Sequence, residues 1–394
     1  MPASSSSALG LRLETARAAA RLSRRQLAEQ SGISASMIQK IGEGERHPSD
    51  QVLEALARAL GVMPEALLDG PSRTDSRVHQ TIPDVQRAIA AYDFPDDGPV
   101  RPSPQLGADV DLAVEDRVQS QYARLGEQMP ALLGELFRAV HQARGRERER
   151  AAHLLALALR SADAVAYKYG YHDLSARLVE LMRWAAGIAA DPALEAVSAY
   201  VRMETFFAAG QLGPGLRSLR DAVDRMPTPT TERLAAAAAA LHMRAAVVAG
   251  RMRQADDART HLRDAEGLAR RVRERLYDGT AVGPDSLEIH RLSVAVELGE
   301  ETDLQAAVAA SARWAPPREL PAERRSHYYI DLGRAQVQLG RPQHAAESLL
   351  VARQIAPQHV REHGQVRTEL ATMVRMTRGR DERVLALARW AKAV

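Results

Sequence analysis

The chain has 394 residues, more than one ordinary hydrophobic core holds, so two or more domains or a repeat array are expected. Apolar residues make up 45% but aromatic ones only 4%, and a core so rich in Ala and Leu favours closely packed helices over sheet. The absence of cysteine excludes a disulfide framework, thiolate zinc sites and cysteine nucleophiles, and it fits a reducing cytosol.

The opening residues 1–9 read as a polar, disordered tail without the apolar centre of a secretory signal. No apolar run reaches membrane-spanning length, so a cytoplasmic protein with no membrane partner is expected. A net charge of +3, from 53 basic and 50 acidic residues, does not by itself indicate nucleic acid. Basic usage is lopsided, however. Only three of the 53 are lysines (Lys40, Lys168, Lys392), and the chain has no asparagine. A GC-rich genome explains both, and it singles out the two internal lysines.

From Leu11 to Leu68 the pattern predicts five short helices within a domain spanning 10–70. The first, about residues 10–20, carries Leu13, Ala16 and Ala20 at helical spacing. Ser23 and Gln26 form a capping-box signature for the second, whose Leu27 and Ala28 face inward. The turn Ser31-Gly32-Ile33 follows, and Ser34 caps a third helix with Met37, Ile38 and Ile41 as its buried stripe. Gly44 stops that helix and Pro48 forbids its continuation. Ser49 caps a fourth, with Leu53, Leu56 and Leu60 on one face.

A helix, a short Gly-containing turn and a second short helix is the helix-turn-helix arrangement that reads double-stranded DNA. Its third helix enters the major groove, which leaves Ala35, Ser36, Gln39 and Lys40 exposed beside the capping Ser34. Gln suits adenine, Lys guanine and Ala a thymine methyl. Arg24 and Arg25 are placed for phosphates, with Arg46 just beyond the third helix. Residues 11–46 carry seven basic side chains (Arg12, Arg17, Arg21, Arg24, Arg25, Lys40, Arg46) against four acidic ones (Glu14, Glu29, Glu43, Glu45).

The stretch resembles the phage-repressor and Cro type of helix-turn-helix, the Xre family. The likeness rests on Leu22, Leu27, Ala28, Gly32, Ile33, Ser34, Ile38, Ile41, Gly44, Pro48 and the Leu53–Leu60 face. Two positions depart from it. The family usually has Gln where this chain has Arg24, and Glu where it has Gly42, which would fray the end of the recognition helix.

Residues 71–107 hold five prolines between Pro83 and Pro104 and read as a stiff linker carrying one short helix over 84–92. From 108 to 394 the chain reads as helical and repetitive. Gly170, Gly210, Gly250, Gly299, Gly340 and Gly379 follow apolar helical stretches at spacings of 40, 40, 49, 41 and 39, the long one containing a loop, DGTAVGPD. A period near 40 marks a helix-pair solenoid. The unit 326–359, with Tyr329, Gly333, Gly340, Ala345, Ala352 and Pro357, resembles the tetratricopeptide (TPR) pattern. The expected fold is therefore all-α: a five-helix helix-turn-helix domain followed by a TPR-like α-solenoid. This combination resembles a group of actinobacterial regulators and the peptide-pheromone receptors.

In a TPR array the first helices line a concave groove. Aligning the repeats on their glycines places Arg160, Tyr167, Lys168, Tyr200, Glu204, Phe207, Arg244, His327, Arg334 and Gln338 on or near that face, as candidates for an effector. Their cations suit a carboxylate, with Lys168 foremost; the alternative is pairing to an acidic neighbour such as Asp163 or Asp173. Pheromone receptors commonly grip peptide backbone through asparagines, which this chain lacks. HVREH (His359, Glu362, His363) matches an inverted zinc-protease motif, but its place after Pro357 speaks for the start of a solenoid helix. No catalytic, metal or cofactor site is expected.

Three functions compete. The first is a homodimeric DNA-binding transcription regulator sensing a small molecule or peptide. The second is a TPR scaffold tethered to DNA through its helix-turn-helix domain. The third is a zinc hydrolase using HVREH.

Overall fold

The computed structural model describes residues 9–394 except 11, 15, 18, 19, 21, 47, 63–66 and 68–72. The tail 1–8, Arg21 and most of the expected fifth helix therefore lie outside the described residues. The chain divides into two compact units, Met1–Gln80 and Thr81–Val394.

In the first unit, α1 (Arg24–Ser31), α2 (Ala35–Gly42) and α3 (Asp50–Leu60) surround a core of Leu9, Leu13, Leu27, Ile38, Ile41, Leu53, Leu56, Leu60 and Leu67. Local chemistry sets the boundaries. Ser23 and Gln26 close the capping box at 3.2 and 2.8 Å, and Gly32, at φ +71°, ends α1 with its N–H on the Ala28 carbonyl. Ser34 caps α2 by accepting from the Met37 N–H. Ser49 occupies the N-cap position of α3 but makes no side-chain cap bond, contrary to its expected role. Ala20 also departs from the expected buried stripe: it lies exposed in a turn.

The expected short helix 84–92 is instead the 18-residue α4 (Arg73–Ala90), which runs through Pro83. Val78, Ile82, Val85 and Ile89 recur at helical spacing and are all buried. That stripe outweighs the one backbone bond the proline removes.

The second unit is built of packed helix pairs. Its helices are α5 (Ser103–Val118), α6 (Tyr122–Gln142), α7 (Gly145–Lys168), α8 (His172–Ala189), α9 (Pro192–Ala208), α10 (Leu212–Arg225), α11 (Glu232–Arg251) and α12 (Ala255–Ala269). After a hairpin come α13 (Pro284–Leu298), α14 (Glu301–Ala310), α15 (Ala322–Gln338), α16 (Pro342–Ile355), α17 (Pro357–Glu362), α18 (Gly364–Met376) and α19 (Glu382–Trp390). Within the array α7 pairs with α8, α11 with α12 and α15 with α16, while α9, α11, α13 and α15 pack each against the next. This is the all-α solenoid logic, in which each pair buries its apolar face on its neighbours.

Five of the six repeat glycines adopt the left-handed conformation between helices: Gly170, Gly210, Gly299, Gly340 and Gly379. Gly250 does not. It lies inside α11, where a Cβ would sit 3.2 Å from the Glu297 Cβ and 3.5 Å from the Val294 carbonyl oxygen. The left-handed position there belongs to Arg253.

The loop DGTAVGPD is also more ordered than expected. β1 (Arg275–Tyr277) and β2 (Thr280–Val282) pair antiparallel around a two-residue Asp278-Gly279 turn, both with positive φ. Asp-Gly is the sequence signature of that tight hairpin. Both strands are short, and β2 is wholly buried.

Candidate functional sites: a nucleic-acid interface and an interior charge network

The apolar stripe of α2 is spent on the core of the first unit, which turns Ala35, Ser36, Gln39 and Lys40 outward, all four exposed. Gln39 donates to Glu43 at 2.9 Å from one turn back. Ser34 is exposed and occupied as a cap, and Arg46 is exposed beyond the helix end.

The two α1 arginines differ. Arg25 is 89% exposed and only grazes Glu29, at 3.2 Å. Arg24 is held at 2.8 Å by Glu14, which also accepts from Arg17 at 2.6 Å. Partial burial opposes ionisation of Glu14, but the two guanidinium groups outweigh it and hold its carboxyl below the usual range. Arg24 is thus a partner of Glu14 first, which its neighbours in sequence did not reveal.

Gly42, expected to loosen the end of α2, has a structural use. A Cβ there would meet the Glu14 carboxylate at 3.1 Å. Gly10 is tighter still, since a Cβ would fall 2.3 Å from the Gly42 carbonyl oxygen and 2.7 Å from that of Ile41. We expect Gly10→Ala to force these backbones apart at a cost of ~1–3 kcal/mol. Amide exchange across α1–α3 should quicken by roughly 5- to 150-fold, and unchanged exchange would refute the close approach.

Residues 8–69 match the family described as "Helix-turn-helix domain". No curated protein sequence matches the chain. Three solved structures align over much of its length. They are Bacillus thuringiensis PlcR bound to a peptide and DNA (15% identity, 66% of this chain and 94% of that one, TM-score 0.32), apo ComR, a competence regulator from Streptococcus vestibularis (14%, 83% and 99%, 0.30), and a PrgX mutant (9%, 96% and 98%, 0.26). Likeness at this level reaches neither function nor partners.

In the second unit, the candidate effector residues are drawn into one interior network. Arg160 is committed to the hairpin: it donates to the Asp278 carbonyl and to Thr280 Oγ1, both at 2.7 Å. Burial, then the nearby Arg117, pushes its pKa down to about 9. Arg117 itself is buried and donates to the Gly279 carbonyl. The outer side of the turn is held by Arg233, whose guanidinium grips the Asp278 carboxylate at 2.7 and 2.9 Å. The hairpin therefore takes up the Arg160 guanidinium that an open groove would have left to a ligand.

Lys168 pairs with neither Asp163 nor Asp173. It lies 3.6 Å from Glu323 on α15, which also faces Arg117 at 4.0 Å, so one carboxylate ties α5 and α7 to α15. Burial disfavours the Glu323 carboxylate, but Lys168, Arg117 and Arg324 hold it below the usual range. The same ends of the array meet again at Tyr122, whose N–H donates to Gln358 at 3.1 Å.

Tyr200 accepts from Arg324 at 3.0 Å, and Arg244 stands 3.9 Å above its ring. Burial would raise its pKa, yet Arg244, Arg324 and Arg160 bring it down to about 8. Glu204 sits beside the buried Asp163, and burial and Glu204 together keep Asp163 protonated well above its ordinary range. Phe207 lies under Arg251 at 4.3 Å, Tyr167 meets His172 edge-on, and Gln338 donates to the Val296 carbonyl at 3.3 Å. Arg334 binds Asp331 at 2.9 Å and Glu297 at 3.1 Å.

His327 faces Asp331 at 3.4 Å and converges with His359 and His363. The HVREH histidines are not on one helix: α17 ends at Glu362, and His363 caps it in extended conformation. Glu362 is engaged by Arg367 at 3.1 Å.

Sequence reasoning missed Arg117, Glu323, Arg324 and Asp331. Only Asp331 had a local signal, lying four residues after His327 and three before Arg334 on α15.

Proposed function

We propose that the chain is a DNA-binding transcription regulator of the Xre type. Its TPR-like array dimerises and senses an effector, and the protein works in the cytoplasm. The observation that carries the reading is α2, fixed by its apolar stripe with Ala35, Ser36, Gln39 and Lys40 facing outward. A short helix so presented, after a Gly turn, is what a major groove accepts. Lys40→Ala is expected to cost ~1–3 kcal/mol at the best operator and leave random DNA nearly untouched. Arg25→Ala should weaken all sequences alike and flatten the salt dependence. Equal loss on operator and random DNA for Lys40→Ala would remove the base-reading role.

One such helix covers only a half-site, so tight binding needs two copies about one helical turn apart. The second unit is the proposed source of that dimer. Residues 1–70 alone are expected to bind an operator poorly, while the full chain runs as a dimer in light scattering. A full-length monomer that binds one operator tightly would rule this out.

The effector is proposed to be an anionic or carboxylate-bearing molecule. Support comes from the cations crowded in the interior network, Arg117, Arg244, Arg324 and Lys168, where an anion would meet charge in low dielectric. Such a ligand acts only if it binds two conformations unequally, and the Lys168–Glu323 contact between α7 and α15 is a bond it could displace.

A further inference from the structure

The interior of the second unit holds three imidazoles that the proposed function leaves unused. His327 comes from α15, His359 from α17 and His363 from the residue that ends α17. One nitrogen from each lies within 4.8 Å of the others, and ring centroids are 5.5 to 6.2 Å apart. We propose that His327, His359 and His363 form a binding site for a divalent transition-metal ion.

Two independent features support this. The first concerns hydrogen bonding. His359 is 1% exposed, and among the described residues its Nε2 has no hydrogen-bond partner; nor has the buried Nδ1 of His363. A buried polar nitrogen without a partner is unfavourable, and two in one cluster call for a common explanation. A metal ion accepts several imidazole lone pairs at once.

The second is the surroundings. Metal-bound imidazoles characteristically pass their other nitrogen to a carboxylate. His327 Nε2 lies 3.4 Å from Asp331, and His359 Nδ1 lies 3.8 Å from Glu323 and 3.4 Å from the Tyr122 hydroxyl. Lys168, 3.4 Å from His359, works against a cation, but it is shared with Glu323. Arg334 is opposed by Asp331, Glu297 and Glu369. His327 is 31% exposed, so an ion has a way in.

The donor set selects the ion. Imidazole suits zinc, nickel, cobalt and copper(II); the all-oxygen shells of magnesium and calcium are not on offer, nor is the thiolate that copper(I) prefers. At metal–nitrogen distances of ~2.1 Å the three nitrogens must draw in to about 3.4 Å from one another, a closure that small ring rotations supply. With three protein ligands, a position stays open to water or an anion. Hydrolysis does not follow, because Glu362, the expected base of HVREH, is held by Arg367.

A second group, His242, His261 and Asp264, provides the control. There the two Nδ1 atoms already face each other at 3.0 Å, and Asp264 is half-exposed.

The test is titration of metal-free full-length protein with cobalt(II), read by its visible absorption, and with zinc by calorimetry. One ion per chain is expected, in a site of low coordination number with an intense cobalt band. His327→Gln, at a part-exposed position, should weaken binding by more than the ~10–100-fold that outer contacts are worth, with the circular dichroism unchanged. His363→Gln should do the same. His242→Gln should leave it intact. No binding at micromolar metal would overturn the proposal, and so would binding that survives both His327→Gln and His363→Gln or is lost in His242→Gln. Operator binding by metal-free protein is a separate measurement, so failure here leaves the DNA reading standing.

Discussion

Replacing Asp331 by alanine should cost the second unit ~3–5 kcal/mol, the range for breaking a buried ion pair. The carboxylate has no exposed surface. It accepts from the Ser293 hydroxyl and from Arg334 at 2.9 Å, and it faces His327. Burial works against its charge, but His327 and Arg334 outweigh that and bring its pKa down to about 2. Alanine would leave the Arg334 guanidinium, only 9% exposed, with Glu297 and Glu369 alone. The Ser293 hydroxyl would keep only the Ile289 carbonyl, at 3.2 Å. Asn keeps the shape and one acceptor, so Asp331→Asn should lose less. The Arg25–Glu29 pair gives the contrast: at 89% and 63% exposure, solvent screening leaves it well under 1 kcal/mol. For a unit this long, the alanine variant should melt roughly 5–10 °C lower. A melt within a degree of the parent's would mean the carboxylate is dispensable and the α13–α15 contact rests on apolar packing.

The same contrast between local and distant chemistry explains what could be read from the chain beforehand. Caps and turns are written in adjacent residues, so Ser23 with Gln26, Gly32 and Gly44 marked the edges of α1 and α2. The repeat was legible through its glycines, except where glycine serves packing instead. Gly250 keeps the count but shifts the register, because α13 needs to approach α11 there. Pro83 hid α4, although Val78, Ile82, Val85 and Ile89 spelled out its stripe. The hairpin was legible too: Asp278-Gly279 between β-formers is a strong local signal, overlooked inside a helical repeat.

The interior network is of another kind. Arg160 meets Thr280 across 120 positions, and Lys168 meets Glu323 across still more. Such pairs depend on how far each helix pair turns against the next, a sum of small rotations that no short stretch encodes. Helical spacing identified Arg160 and Lys168 as inward-facing. It had no means of telling that one would hold a hairpin and the other a glutamate.

That crowding of cations leads to the last expectation, about Tyr200. A buried phenol ordinarily titrates above 10, and burial does raise Tyr122, Tyr167, Tyr171 and Tyr328. Tyr200 is buried as well, but Arg244 stacked on its ring, Arg324 bonded to its hydroxyl and Arg160 nearby reverse the sign and bring it to about 8. The fold therefore favours the phenolate. Its contribution to stability is fully present above the unfolded value near pH 10 and is lost as pH falls through about 8. Between those limits the chain should become more stable with rising pH, by up to roughly 2–3 kcal/mol from this group. Phenolate absorbance should appear near pH 8 at the amplitude of one tyrosine among the nine, and Tyr200→Phe should erase it. If an anionic effector enters the network, it neutralises the same arginines, and the phenolate should then appear only at higher pH. An absorbance onset that stays above pH 10 in the parent would show that Arg244 and Arg324 do not hold Tyr200 in this way.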